Sequence, residues 1–184
     1  MSTTVHTHIS QSAKNRWFVG GFDKALLDES IVSLHFIAHP SDPNIPLPNP
    51  TNHWSSYLEL ATNKLVHLDV IPSGPDAGQG CICLSSREPS VTSDWSYKKT
   101  CLISNNVTLN GFLELIIKKN RDKYNFADGG EGCRFWLSVV LEDLVEAGII
   151  SREDGDETQV ALPKYWSKPG TSTDRPMAVG TFWE

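Results

Sequence analysis

The 184-residue chain is poor in cysteine, with thiols only at 81, 83, 101 and 133. That is too sparse for a disulfide framework in a chain this long, and no paired C-x-x-C spacing marks a zinc site, so reduced thiols are expected. Long apolar runs are missing too. No stretch approaches the roughly 18 residues a membrane span requires, and the opening "MSTTVHTHISQSAKNR" lacks the apolar core of a secretory leader. A cytoplasmic protein with no membrane span is the expectation. Basic residues are in deficit, since 16 Lys and Arg face 22 Asp and Glu for a net charge of −6. This balance disfavours nucleic acid and anionic membranes, which are bound through clustered Lys and Arg. A small-molecule substrate is the expected partner, with no nucleic acid, no cofactor and no metal implied.

What is present resembles an ordinary folded domain: 39% of residues are apolar and 21% charged. Residues 1–15 are polar and expected to be flexible, leaving 16–184 as a single domain. "RWFVGGF" and "SIVSLHFIA" carry the aromatic and β-branched residues that favour strands and suggest an early strand pair. Five prolines between 39 and 52 then impose a stiff loop. Four further strand-like segments follow, "HWSSYLEL", "KLVHLDV", "GQGCICLSS" and "SYKKTCLIS". Alternation in the first places Trp54, Ser56, Leu58 and Leu60 on one face and His53, Ser55, Tyr57 and Glu59 on the other. The short "ATN" connection predicts a hairpin, and the series reads as an antiparallel meander.

The apolar period then lengthens. Leu109, Phe112, Leu113, Ile116 and Ile117 form the stripe of an amphipathic helix with Thr108 as N-cap. A second helix runs from Cys133, with Trp136, Val139, Val140, Leu144 and Ala147 inward, Glu142, Asp143 and Glu146 toward water, and Gly148 as its stop. The tail offers one short strand around 160–162. The fold class predicted is α+β, an antiparallel sheet packed against two main helices at about 107–122 and 133–147.

"GEGCRFW" places Cys133 in the first turn of that second helix, behind Gly129, Gly130 and Gly132. Unpaired N–H groups and the positive end of the helix dipole favour a thiolate there, and the same N–H groups could hold an oxyanion. His53 and His67, on two strands joined by the "ATN" turn, are the candidate partners: one to take the thiol proton, the other to orient the first. A small buried thiol opening a core helix is the competing reading of Cys133.

The segment "HWSSYLELATNKLVHLDV", followed by "VTLNGFLELIIKKNRDKYNFADGGEGCRFW", resembles the lecithin:retinol acyltransferase-like and small phospholipase A/acyltransferase proteins of the NlpC/P60-related superfamily. There an H-W opens a strand, a second histidine follows in the next strand, and an amphipathic helix precedes a helix-starting cysteine. The resemblance covers about residues 52–147. It implies a circularly permuted papain-like fold, with His53 as base, His67 as third polar residue and Cys133 as nucleophile. It also implies a cysteine-dependent hydrolase or acyltransferase acting on an ester, thioester or amide.

Arg134, beside the thiol, is a candidate anchor for an anionic substrate. Trp54 and Trp136 are candidates for the wall of an apolar pocket, and Asp128 and Glu131 for capping the cysteine helix. Two other functions fit the same residues: a non-catalytic small-molecule-binding module, and a biosynthetic enzyme using the histidines for non-hydrolytic acid/base chemistry.

Overall fold

Alternation in "HWSSYLEL" orients the central sheet. In the computed structural model, which describes residues 3–11, 16–41, 49–74, 78–89 and 94–184, Trp54, Ser56, Leu58 and Leu60 are all buried. Their strand is one of ten among the described residues. The order is α1 (Thr3–Ser10), β1 (Trp17–Gly21), a 3-10 turn (Lys24–Asp28), β2 (Ile31–Ala38), β3 (Trp54–Leu60), β4 (Leu65–Ser73), β5 (Gln79–Arg87) and β6 (Tyr97–Leu102). Then come α2 (Leu109–Lys118), β7 (Tyr124–Asn125), a second 3-10 turn (Asp128–Gly130), α3 (Cys133–Glu146), α4 (Arg152–Ala161), β8 (Lys164–Lys168), β9 (Thr171–Asp174) and β10 (Thr181–Phe182).

The main sheet runs β10-β7-β5-β4-β3-β2-β6, with β1 added in parallel to β5, while β8 and β9 form a separate hairpin. It is α+β, and the neighbours along that path pair antiparallel. One face packs on α2 through Phe112, Leu113 and Ile116 and on α3 through Trp136, Val140, Leu141 and Leu144. Full burial of side chains of this kind is worth about 1.5–3 kcal/mol each, so these two helices hold the sheet's inner face. Thr108 caps α2 as expected, its Oγ1 accepting from Gly111 N at 3.2 Å. Gly148, at φ 67°, ends α3.

Several expectations are corrected. Residues 3–10 are helical rather than frayed, because Val5 and Ile9 are buried in the core; residues 12–15 lie outside the described residues, as does 42–48 of the proline-rich loop. The segments taken as an early strand pair are both strands, yet they do not pair. Both edges of β2 are taken by β3 and β6, so β1 docks on β5. The meander holds from β2 to β5, after which β6 crosses back to β2. Asp143 faces inward and meets the Arg121 guanidinium through Nε at 2.5 Å and Nη2 at 3.0 Å, whereas Ala147 is exposed. Residues 160–161 end a helix instead of forming a strand. Ser151 starts that helix by accepting from Asp154 N at 3.1 Å, with Glu153 and Asp154 near its positive end.

Candidate active site

Helix α3 begins at Cys133 with Gly132 as N-cap, at φ 151° and with no side-chain cap. A side chain is barred at Gly132: a Cβ would lie 2.5 Å from the Tyr124 hydroxyl, which donates to Gly132 O at 3.0 Å. Without a capping side chain, the N–H groups of the first turn stay open toward whatever lies in front of the thiol. The expected caps are corrected, since Glu131 is held away by Arg175 Nη2 at 2.9 and 3.2 Å and Asp128 sits in the preceding 3-10 turn.

His53 stands at the mouth of β3 and lines, with Cys133, a cleft of about 190 Å³ that also includes Thr51, Asn52, Glu131 and Gly132. The structure therefore brings the expected base and nucleophile together. His53 Nε2 is hydrogen-bonded to Asp69 Oδ2 at 2.9 Å, which leaves Nδ1 as the nitrogen available to the thiol. The ring and the thiol are close enough for a side-chain hydrogen bond between His53 and Cys133, the contact a base needs with its nucleophile. Burial works against charge on His53, but the interactions with Asp69 and Cys133 outweigh it and raise its pKa to about 10. With 42% of the side chain exposed, solvent screening trims that pull.

The third member expected beside His53 was His67, and the structure does not place it there. His67 lies two positions from Asp69 on β4, opposite Tyr57. Its Nε2 is 2.9 Å from Ser55 Oγ and its ring stacks on Tyr57 at 4.4 Å between centroids. Burial drives its pKa down to about 4, with nearby positive groups adding to the fall. Asp69 takes the orienting position, and its signal in the sequence is period 2: in "KLVHLDV" it shares a face with His67, an acid in an otherwise apolar strand. His39 is the other residue gathered here. Its ring stacks on His53 at 5.7 Å, and its Nε2 meets the same Ser55 Oγ at 2.7 Å.

Of the three substrate-binding candidates, Arg134 lines the cleft beside His53 and Cys133, with its guanidinium engaged by backbone carbonyls, whereas the two tryptophans do not line it. Arg134 is buried and its guanidinium donates to the carbonyls of Leu162 at 3.3 Å, Arg175 at 2.6 Å and Pro176 at 3.2 Å. Its donors clamp the C-terminal segment against the cysteine helix, so an anion would have to displace them. Trp54 and Trp136 are fully buried in the core, and Trp136 Nε1 donates to Arg121 O at 2.6 Å. Neither forms a pocket wall, because alternation and the helical stripe both turn them inward. Asn52, absent from the expected set, fixes the cleft's other side by holding His39 O and Trp166 O at 3.0 Å each.

The arrangement offers a thiol at an open helix start, a histidine held by a carboxylate, and a small cleft between them. Among the described residues no group of His, Cys, Asp and Glu is arranged to hold a metal ion, and no helix is long and apolar enough to cross a membrane. No curated protein and no solved structure matches the chain. A family model described as a domain of unknown function, DUF7770, matches residues 34–183, which include the His53, Asp69 and Cys133 positions, and the chain belongs to that family.

Proposed function

We propose that the protein is a cysteine-dependent hydrolase or acyltransferase acting on an ester, thioester or amide, with Cys133 as nucleophile, His53 as acid/base and Asp69 as the residue that orients His53. The observation that carries the reading is the shared cleft of Cys133 and His53 with the 2.9 Å Asp69–His53 contact behind it. Cys133 gives its proton to His53 and its sulfur attacks the carbonyl carbon, while the carbonyl oxygen takes up charge at the N–H groups that begin α3. His53 then passes a proton to the leaving alcohol, thiol or amine as the carbonyl–heteroatom bond breaks, giving acyl-Cys133. Water or an acceptor nucleophile next attacks the acyl carbon, His53 removes its proton, and the thiol is regenerated.

The chain order, with a histidine strand and its acid before the cysteine helix, is in keeping with a permuted papain-like domain. Four free thiols support a reducing, cytoplasmic setting. The test is acylation by p-nitrophenyl acetate followed by intact-mass analysis. One acetyl group on Cys133, lost in Cys133→Ser and slowed in His53→Ala, is the expected result. Acetylation spread evenly over Cys81, Cys83 and Cys133 would defeat the reading.

A further inference from the structure

The carboxylate of Asp69 is used on one side only. Oδ2 holds His53, whereas Oδ1 is buried with no described hydrogen-bond partner, in a residue that is 8% exposed overall. A carboxylate oxygen shut away without a donor is costly, and folded proteins normally avoid it. Asp69 also lines a second cleft of about 470 Å³ on the outer face of β4 and β5, with Phe18, His67, Ile71, Cys83 and Arg87; Oδ1 is shut off from solvent and meets a ligand there when the carboxylate turns toward the cleft. Register explains the layout: Asp69 lies opposite Cys83 and His67 opposite Ser85, with Phe18 of β1 beside Cys83. Phe18 is 64% and Ile71 38% exposed, giving the cleft an open apolar surface. Arg87 is exposed in the same lining and makes no hydrogen bond or ion pair with any described residue.

We infer that this second cleft binds a small organic anion that also carries an amide N–H or a hydroxyl. The anionic group pairs with Arg87, the N–H or O–H donates to Asp69 Oδ1, and an apolar part lies on Phe18 and Ile71. A neutral donor suits Oδ1 better than an ammonium, because the carboxylate already faces one cationic partner in His53. Both oxygens belong to one group, so a donor at Oδ1 draws charge from Oδ2 and weakens its hold on the imidazole. Occupancy of the cleft therefore slows the Cys133 thiol, and the linkage is reciprocal. The binding site stands by itself, whereas its effect on the thiol rests on the acyl-transfer reading.

The experiment uses N-acetylleucine as probe, with N-acetylleucinamide lacking the anion and 4-methylpentanoate lacking the N–H. Binding to the full chain is followed by amide chemical shifts in NMR titrations, in parallel with iodoacetamide alkylation of Cys133 at fixed neutral pH. N-acetylleucine is expected to perturb resonances of β4 and β5, with affinity falling roughly tenfold or more on loss of either group or in Arg87→Gln, as for a lost charge-assisted hydrogen bond. Phe18→Ala, a change at an exposed side chain, weakens binding without altering the fold. Alkylation is expected to slow severalfold at saturation in the wild type and not in Arg87→Gln. Equal binding of all three probes, or binding indifferent to Arg87→Gln, overturns the site. Arg87-dependent binding with an unchanged alkylation rate overturns the Asp69 contact. If Cys133 shows no preferential alkylation while Arg87-dependent binding persists, the acyl-transfer reading fails and the binding site stands.

Discussion

Asp69 and His67 sit two residues apart on one strand face, and their environments set opposite roles. Asp69 points at the ring of His53, so Asp69→Asn is expected to slow iodoacetamide labelling of Cys133 about as much as His53→Ala does, while His67→Gln leaves it near the wild-type rate. Equal losses in the two strand variants would return His67 to the site. The same histidines shape stability against pH. His67 has a pKa near 4 when folded and an ordinary value of 6.5. Between those values the unfolded chain binds the extra proton, so stability is present above 6.5 and is lost as pH falls toward 4. His53 is the mirror case, near 10 when folded against 6.5; its contribution is present below 6.5 and lost as pH rises toward 10, moderated by its exposure. Urea unfolding across pH is expected to show a flatter acid limb in His67→Gln and a flatter alkaline limb in His53→Ala.

At the scale of elements, the start of α3 depends on a residue with no side chain. Gly132→Ala forces a Cβ onto the Tyr124 hydroxyl at a backbone angle that other residues rarely adopt, and is expected to cost about 1–3 kcal/mol. Retained stability in denaturant titrations would show that the turn can relax. Arg134 joins α3 to the C-terminal segment through three carbonyls. Arg134→Met is expected to lower stability by roughly 2 kcal/mol or more, because buried acceptors are left without donors. If it instead weakens only the binding of anionic substrates, with stability unchanged, Arg134 serves the cleft that it lines and not the C-terminal segment.

For the whole molecule, the docking of α1 is the feature composition conceals. Val5 and Ile9 enter the core, and Trp17 Nε1 donates to Asp122 Oδ2 at 3.0 Å beside it. Removing residues 1–11 is expected to lower the melting temperature by several degrees in calorimetry, as loss of two buried aliphatic side chains requires. An unchanged transition would mean the helix adds nothing to the core.

Periodicity alone determined the class of the fold. Period 2 in β3 and the longer period of α2 and α3 decide which side chains leave water, and burial follows from that locally; Thr108, Gly148 and the thiol at the start of α3 were legible for the same reason. Strand order was not, because the choice among partners for β1 and β6 depends on which sheet edges other strands have already taken. The site divides the same way. Cys133 and His53 could be named from residue type and spacing, whereas exchanging His67 for Asp69 required the register that sets β4 against β3. The inward turn of Trp54 was visible in alternation and had only to be believed. That Arg134 spends its charge on carbonyls from residues 162, 175 and 176 was decided by tertiary structure alone, since only folding brings acceptors so distant in sequence within reach of one guanidinium.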